Sequence, residues 1–281
     1  MFDVNPKILC HASALQKGNF VSSEYIVNKS DLASQKINLF RRQCPHRMYP
    51  IGQPGENIHD ITCKFHNFQW TKDGVPLNNS KKIKCAETVT SPSGLVFLDF
   101  NEPDTYWSQC LKKETNLEYS HSVTGSSDSG SWLWLMDAEA DLLHVYLDGI
   151  HPFLAKQVNI KDVQLEQGDG WILQVHPSGW WLYIFPYIFV EYTPGCVMVN
   201  CVTPRDPGLE HGYDWICQFY YDPNTSIDKR FVFETLVEVF KQDIEATEKQ
   251  KIPYFPLMNA TNTYEDHCVH FGKWFMQHKK K

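Results

Sequence analysis

The segment "CPHRMYPIGQPGENIHDITCKFH" (44–66) opens with Cys44 and His46 spaced as C-x-H and closes, after sixteen intervening residues, with Cys63 and His66 as C-x-x-H. Thiolates and imidazoles are the donors that soft and borderline metals take. Structural zinc is one use for such a set, since tetrahedral Cys/His sites are common. Zinc-finger pairs, however, group like donors together, two cysteines and then two histidines. Here each half supplies one of each. That arrangement suits a centre with two irons, with both thiolates on one and both imidazoles on the other. Neutral imidazoles in place of two thiolates reduce the negative charge on the centre. Its potential then rises from about −400 mV towards roughly −150 mV or higher, so it accepts a single electron readily and passes it on.

A second set of donors lies downstream. "DAEADLLHVYLDGIH" contains Asp141-x-x-His144 and then His151, and the segment "FVFETLVEVFKQDIEATEKQ" (231–250) contains Asp243. Two histidines and one carboxylate with open coordination positions form the facial triad of non-haem Fe(II) oxygenases. A lone histidine on a helix is more often packed or solvated than a ligand. Asp243 carries more information. At about 100° per residue it falls with Val232, Leu236, Val239 and Phe240, away from Glu234, Glu238, Lys241, Glu245 and Lys249. A carboxylate on a buried stripe needs a compensating partner, and a metal supplies one.

Both sets resemble those of the Rieske-type ring-hydroxylating oxygenases. "CPHR" and "CKFHNFQWTKDGVPL" look like the ligand loops of a Rieske [2Fe–2S] domain, with Met48 and Asn67 at positions where glycine is usual. In the same family a W…E-N-x-x-D/E-x-x-H-x(4)-H segment supplies both iron histidines, and a later D-x(4)-E-x-x-Q helix supplies the carboxylate. Trp132, Asp137, Asp141 and His144 stand at that spacing. Asp243 and Glu248 are also in register, while Gln250 falls one position early. "EDHCVHFGKWF" is similar to the family's C-terminal pattern, and "YIFPYIFVEY…VTPRDPG" is most similar to choline-monooxygenase-like members.

The resemblance implies a terminal oxygenase that takes electrons through a Rieske cluster on Cys44, His46, Cys63 and His66 to an Fe(II) on His144, His151 and Asp243. O2 is then the co-substrate for hydroxylation, dihydroxylation or demethylation of a small organic substrate. It also implies electron supply from NAD(P)H through a separate flavin reductase, with or without a ferredoxin. A head-to-tail homotrimer follows in the same way, with Asp141 bridging a cluster histidine of one subunit to an iron histidine of its neighbour. Trp180, Trp181 and Tyr183 are candidates for the substrate pocket, where aromatic faces stack on a ring or hold a quaternary ammonium. Any one of them could equally be sheet core.

One departure concerns the iron histidines, which six residues separate where the family has four. On an unbroken helix that step rises about 10.5 Å, so the helix must bend or break, and Gly149 is a plausible place. A rival register uses Asp148-x-x-His151 and puts Lys156, a poor ligand, where the second histidine belongs. If neither register builds a site, the chain is a degenerate oxygenase or an electron carrier; a zinc-stabilised binding protein is the remaining alternative.

The elements that must position these residues follow from the sequence texture. "SEYIV", "INLFRR", "DITCKF" and "SGLVFLDF" read as short strands with turns at "QPGEN" and "TKDGVP". "SHSVTGSSDSGS" (120–131) reads as a connection with little to bury. "WLWLMDAEADLLHVYLDGIH" is helical in pattern, residues 170–222 are aromatic-rich β, and 231–250 is an amphipathic helix. The expected fold is α+β: an all-β Rieske domain over 1–115, then a helix-flanked antiparallel-sheet catalytic domain over 116–281.

At 281 residues there is room for two such cores. No run approaches the roughly 20 apolar residues of a membrane span, and the N-terminus shows no secretory pattern. The formal charge of −7 argues against nucleic-acid binding. Nine cysteines without an export signal suggest reduced thiols and a cytoplasmic location.

Overall fold

The computed structural model describes residues 7–22, 25–29, 37–78, 81–83, 85–86, 88–90, 95–98, 117–142, 145, 150–205, 209–260 and 263–278. Contacts divide the chain into two compact units. One is drawn from Asn5–Thr124 with Gln218–Pro223, the other from Gly125–Cys217 with Asn224–Lys281. The expected boundary at 115/116 falls outside the described residues.

In the first unit the strands are β1 (Lys7–His11), β2 (Asn19–Val21), β3 (Tyr25–Lys29), β4 (Ile37–Arg41), β5 (Asn57–Ile58), β6 (Ile61–Cys63), β7 (Phe68–Trp70), β8 (Cys85–Ala86), β9 (Thr88–Thr90) and β10 (Leu95–Leu98). They form a five-stranded sheet in the order β5-β2-β3-β4-β8, a three-stranded sheet β1-β10-β9, and the hairpin β6-β7. β-Branched and aromatic residues favour such pleated surfaces, and Ile26 pairs with Phe40 across β3 and β4. Both join Ile51, Ile61, Trp70 and Ile83 in a buried cluster that also contains Cys44 and Cys63. The "TKDGVP" turn is tied to the sheet by Asn38, whose amide donates to Lys72 O at 3.0 Å and Asp73 Oδ1 at 3.1 Å. Gly74 in that turn has φ +72°, and a Cβ there would meet the Phe40 ring at 2.7 Å. Only glycine meets both demands.

The second unit holds β12 (Gln164–Gly168), β13 (Trp171–His176), β14 (Gly179–Ile184), β15 (Ile188–Thr193) and β16 (Cys196–Pro204). With the longer β11 (Glu118–Ser131) and β17 (His211–Tyr221) they make a seven-stranded sheet in the order β11-β17-β16-β15-β14-β13-β12. Three helices complete it: α1 (Trp132–Ala140), α2 (Lys229–Lys249) and α3 (Asp266–His278). α1 packs on α2, α3 and β16. Ser131 caps α1 by accepting from Trp134 N–H, and Asp228 caps α2 by accepting from Arg230 and Phe231 N–H. No helix among the described residues is long and apolar enough to cross a membrane.

Two sequence expectations are corrected here. Residues 120–131 are not a bare connection but lie in β11, the edge strand of the large sheet. Their small side chains are required by packing: a Cβ on Gly125 would meet the Trp215 ring at 2.3 Å. Second, α1 does not run on through His144. It ends at Ala140, with Asp141 extended at ψ 123°.

Candidate metal centres

Cys44 sits at the start of a tight loop in which its N–H donates to Tyr49 O at 2.9 Å, while Met48 N–H donates to Cys44 O at 2.8 Å. Cys63 ends β6, and the turn to β7 carries His66. Both cysteines are buried and both histidines are exposed. Met48 and Asn67 have φ of +58° and +55°, the left-handed conformation that explains why glycine is usual at these positions.

The donors fall into two like pairs. The thiols of Cys44 and Cys63 are hydrogen-bonded to each other. Nδ1 of His46 faces Nδ1 of His66 at 3.2 Å, with the ring planes at 69°. Among the described residues no three donors close on a single point, as a mononuclear zinc would require. Two separate pairs, sulfur with sulfur and nitrogen with nitrogen, fit a binuclear [2Fe–2S] centre. Burial pushes the Cys44 thiol up, backbone hydrogen bonds from His46 pull it back, and the Cys63 thiol adds to the rise. Desolvation, then the nearby His66, Arg47 and Lys81, holds His46 below its ordinary value, which favours the neutral ring that a metal needs.

In the second unit, His151 and Asp243 meet although 92 positions separate them in sequence. His151 Nε2 lies 2.9 Å from Asp243 Oδ1, and both residues are about 2% exposed or less. Gln242, the neighbouring residue on α2, places Oε1 2.9 Å from His151 Nδ1. Because an amide oxygen only accepts, Nδ1 is the protonated nitrogen in the neutral ring. Nε2 faces the Asp243 carboxylate, so either a second ring proton or a metal cation on that side satisfies both. Burial pulls the His151 pKa down, but hydrogen bonding and charge from Asp243, with help from Gln242, more than offset it. The donor chemistry fits Fe(II), with the amide in the orienting role usual for a metal-bound imidazole. His144 lies outside the described residues, as do Asp148 and Gly149.

A cavity opens at this pair, bounded by α1, α2 and one face of the sheet. Alternation along the strands decides which residues reach it. Trp181 pairs with Glu191 and Tyr183 with Phe189 across β14 and β15, and all four line the cavity. Trp180 points to the opposite face, stacked on Tyr192 at 5.3 Å. Asp141, just beyond α1, also lines the cavity.

Two cavity residues carry no sequence motif, Glu139 on α1 and Glu191 on β15. Burial pushes Glu191 up to about 7, against hydrogen bonding from the Trp181 indole and the charge of His151. Glu139 is raised well above the ordinary carboxylate range by burial, then by the charges of Asp243 and Glu191. The detectable sequence signals were a glutamate inside the apolar "WLWLMDAEA" and another in "IFVEY" on the same strand face as Phe189. Gln242 gave no signal, since only the fold brings it to His151.

Residues 5–89 match the Rieske [2Fe-2S] domain family. The chain therefore carries a Rieske [2Fe–2S] domain at its N-terminal end, and its whole length adopts the fold of the Rieske oxygenases. It aligns over 98% of its residues with the crystal structure of the quaternary ammonium Rieske monooxygenase CntA in complex with inhibitor MMV12. The TM-score is 0.72, the identity 16% and the coverage of that chain 89%. The complex of CntA with gamma-butyrobetaine gives a TM-score of 0.71 at 14% identity, covering 98% of this chain and 89% of that one. NdmA from Pseudomonas putida CBB5 gives 0.56 at 15% identity, covering 96% of this chain and 88% of that one. No curated protein matches.

Proposed function

We propose that this chain is the terminal component of a Rieske-type non-haem iron oxygenase acting on a small organic substrate. In this reading Cys44, Cys63, His46 and His66 hold the [2Fe–2S] cluster, and His144, His151 and Asp243 hold a mononuclear iron. When bound, the cluster supplies single electrons and the iron supplies O2 activation.

The observation that carries this reading is the buried His151–Asp243 pair, Nε2 to Oδ1 at 2.9 Å, at the wall of a cavity within this fold. Gln242 fixes the His151 ring. Leu142, Val145, Leu236 and Phe240 exclude bulk water from the pair. Trp181 and Tyr183 offer aromatic faces to a substrate. The exposed His46 and His66 suit electron entry from a flavin reductase or ferredoxin. Asp141 is the relay carboxylate of a homotrimer in the same reading, and the location is cytoplasmic.

Metal and sulfide analysis of anaerobically prepared protein tests it. About three irons and two acid-labile sulfides per chain are expected. Asp243→Ala should remove one iron and abolish O2-coupled turnover while the cluster spectrum persists. Two irons in the parent protein would instead make it an electron carrier.

A further inference from the structure

The cavity is charged in one sense. Among the described residues, Glu139, Asp141, Glu191 and Asp243 line it, with neither Lys nor Arg, and the basic side chain described there, His151, already faces Asp243 and Gln242. Two of the carboxylates have partial partners. The Trp181 indole N–H donates to Glu191. The Tyr183 hydroxyl donates to Glu139 Oε2 at 3.4 Å, a long and weak bond. Among the described residues nothing donates to the other oxygen of Glu139, Oε1, which is buried in a residue only 7% exposed. A buried acceptor left unsatisfied is costly, and native folds seldom keep one without a reason.

We infer that the occupant of this cavity is a protonated amine bearing at least one N–H, which donates to Glu139 Oε1 while its N-alkyl groups rest on the faces of Trp181, Tyr183 and Phe189. The three rings share the sheet face that carries Glu191, so a cation held there touches aromatic faces and carboxylates together. The iron of the proposed site answers Asp243, so Glu139 and Glu191 are the carboxylates that a neutral substrate without a donor leaves unanswered. A quaternary ammonium would answer the charge but has no proton to donate, so the Glu139 acceptor would stay orphaned. On this ground the preferred ligand differs from the quaternary ammonium compounds named for CntA. The inference takes the cavity to be the substrate site of the proposed oxygenase.

Equilibrium binding tests it without turnover, so it can fail or succeed independently of the iron count. Isothermal titration of the anaerobic holoprotein uses three probes of nearly equal shape and without a hydroxyl donor: 2-methoxy-N,N-dimethylethanamine at neutral pH, its N-methylated quaternary analogue, and the neutral isostere 1-methoxy-3,3-dimethylbutane. The protonated amine should bind about tenfold or more tightly than the quaternary analogue, and the neutral isostere should bind weakest. Glu139→Gln should collapse the amine-over-quaternary preference to about twofold or less, with the cluster spectrum and melting temperature reporting that the fold is intact. If that variant does not fold, the probe order on the parent protein still decides. Equal or tighter binding of the quaternary analogue, equal binding of the isostere, or no binding by any probe would overturn the inference.

Discussion

In the Rieske domain four candidate ligands come from two turns lying within 44–66, and the imidazoles stand at the surface. In the other unit Asp243 comes from α2, His151 from the segment between α1 and β12, and both are enclosed among aromatic rings and carboxylates. The first arrangement is local and open, which would suit a centre that exchanges electrons with a partner. The second is long-range and closed, which would suit a centre that keeps water from a reactive site. Short loops can be specified by a few neighbouring residues, whereas an enclosed site is specified by the whole fold.

Substitutions should separate the two arrangements. The largest effect is expected from Asp243→Ala, which strips a donor and leaves His151 buried without its partner. Turnover should fall by roughly a thousandfold or more while the visible spectrum of the cluster is kept. Cys63→Ser should do the reverse. The spectrum should disappear, while the cavity should still bind a protonated amine in calorimetry, because the ligand turn belongs to the other unit. Gln242→Leu should weaken iron binding at His151 by about 10- to 100-fold in a chelator competition, with the cluster unchanged.

A smaller effect concerns acid. Burial lowers the His176 pKa to about 4. The folded ring therefore stays neutral where the unfolded one, near 6.5, takes a proton. Its contribution is present above about pH 6.5 and is lost as pH falls toward about 4. His176→Phe should keep about 2 kcal/mol more of its stability than the parent between about pH 7 and pH 5, read from thermal melts. The smallest effect is expected from Met48→Gly, which relieves a left-handed residue behind the cluster loop. It should change stability by no more than about 1 kcal/mol, in the stabilising direction, in denaturant titrations.

The contrast between the two arrangements also explains what the sequence disclosed. Cys44, His46, Cys63 and His66 announced themselves because donor type and spacing are local properties. Asp243 was visible because a helix wheel already places it on the apolar stripe of α2. β11 was hidden, since its run of serines and glycines reports nothing until Trp215 and Tyr213 are seen to need the room. The end of α1 at Ala140 was hidden too, because Gln174 from β13 supplies a donor to Ala140 O at 3.2 Å. Glu139, Glu191 and Gln242 matter only through partners many residues away, and no spacing rule reaches that far.

Gln242 and Asp243 grip opposite edges of one imidazole from consecutive positions of a single helix. A slide or unwinding of that helix would loosen both grips together, so the ring has no half-released state to rest in. Whatever stiffens α2 along its length therefore also sets how sharply the enclosed site switches between assembled and dismantled.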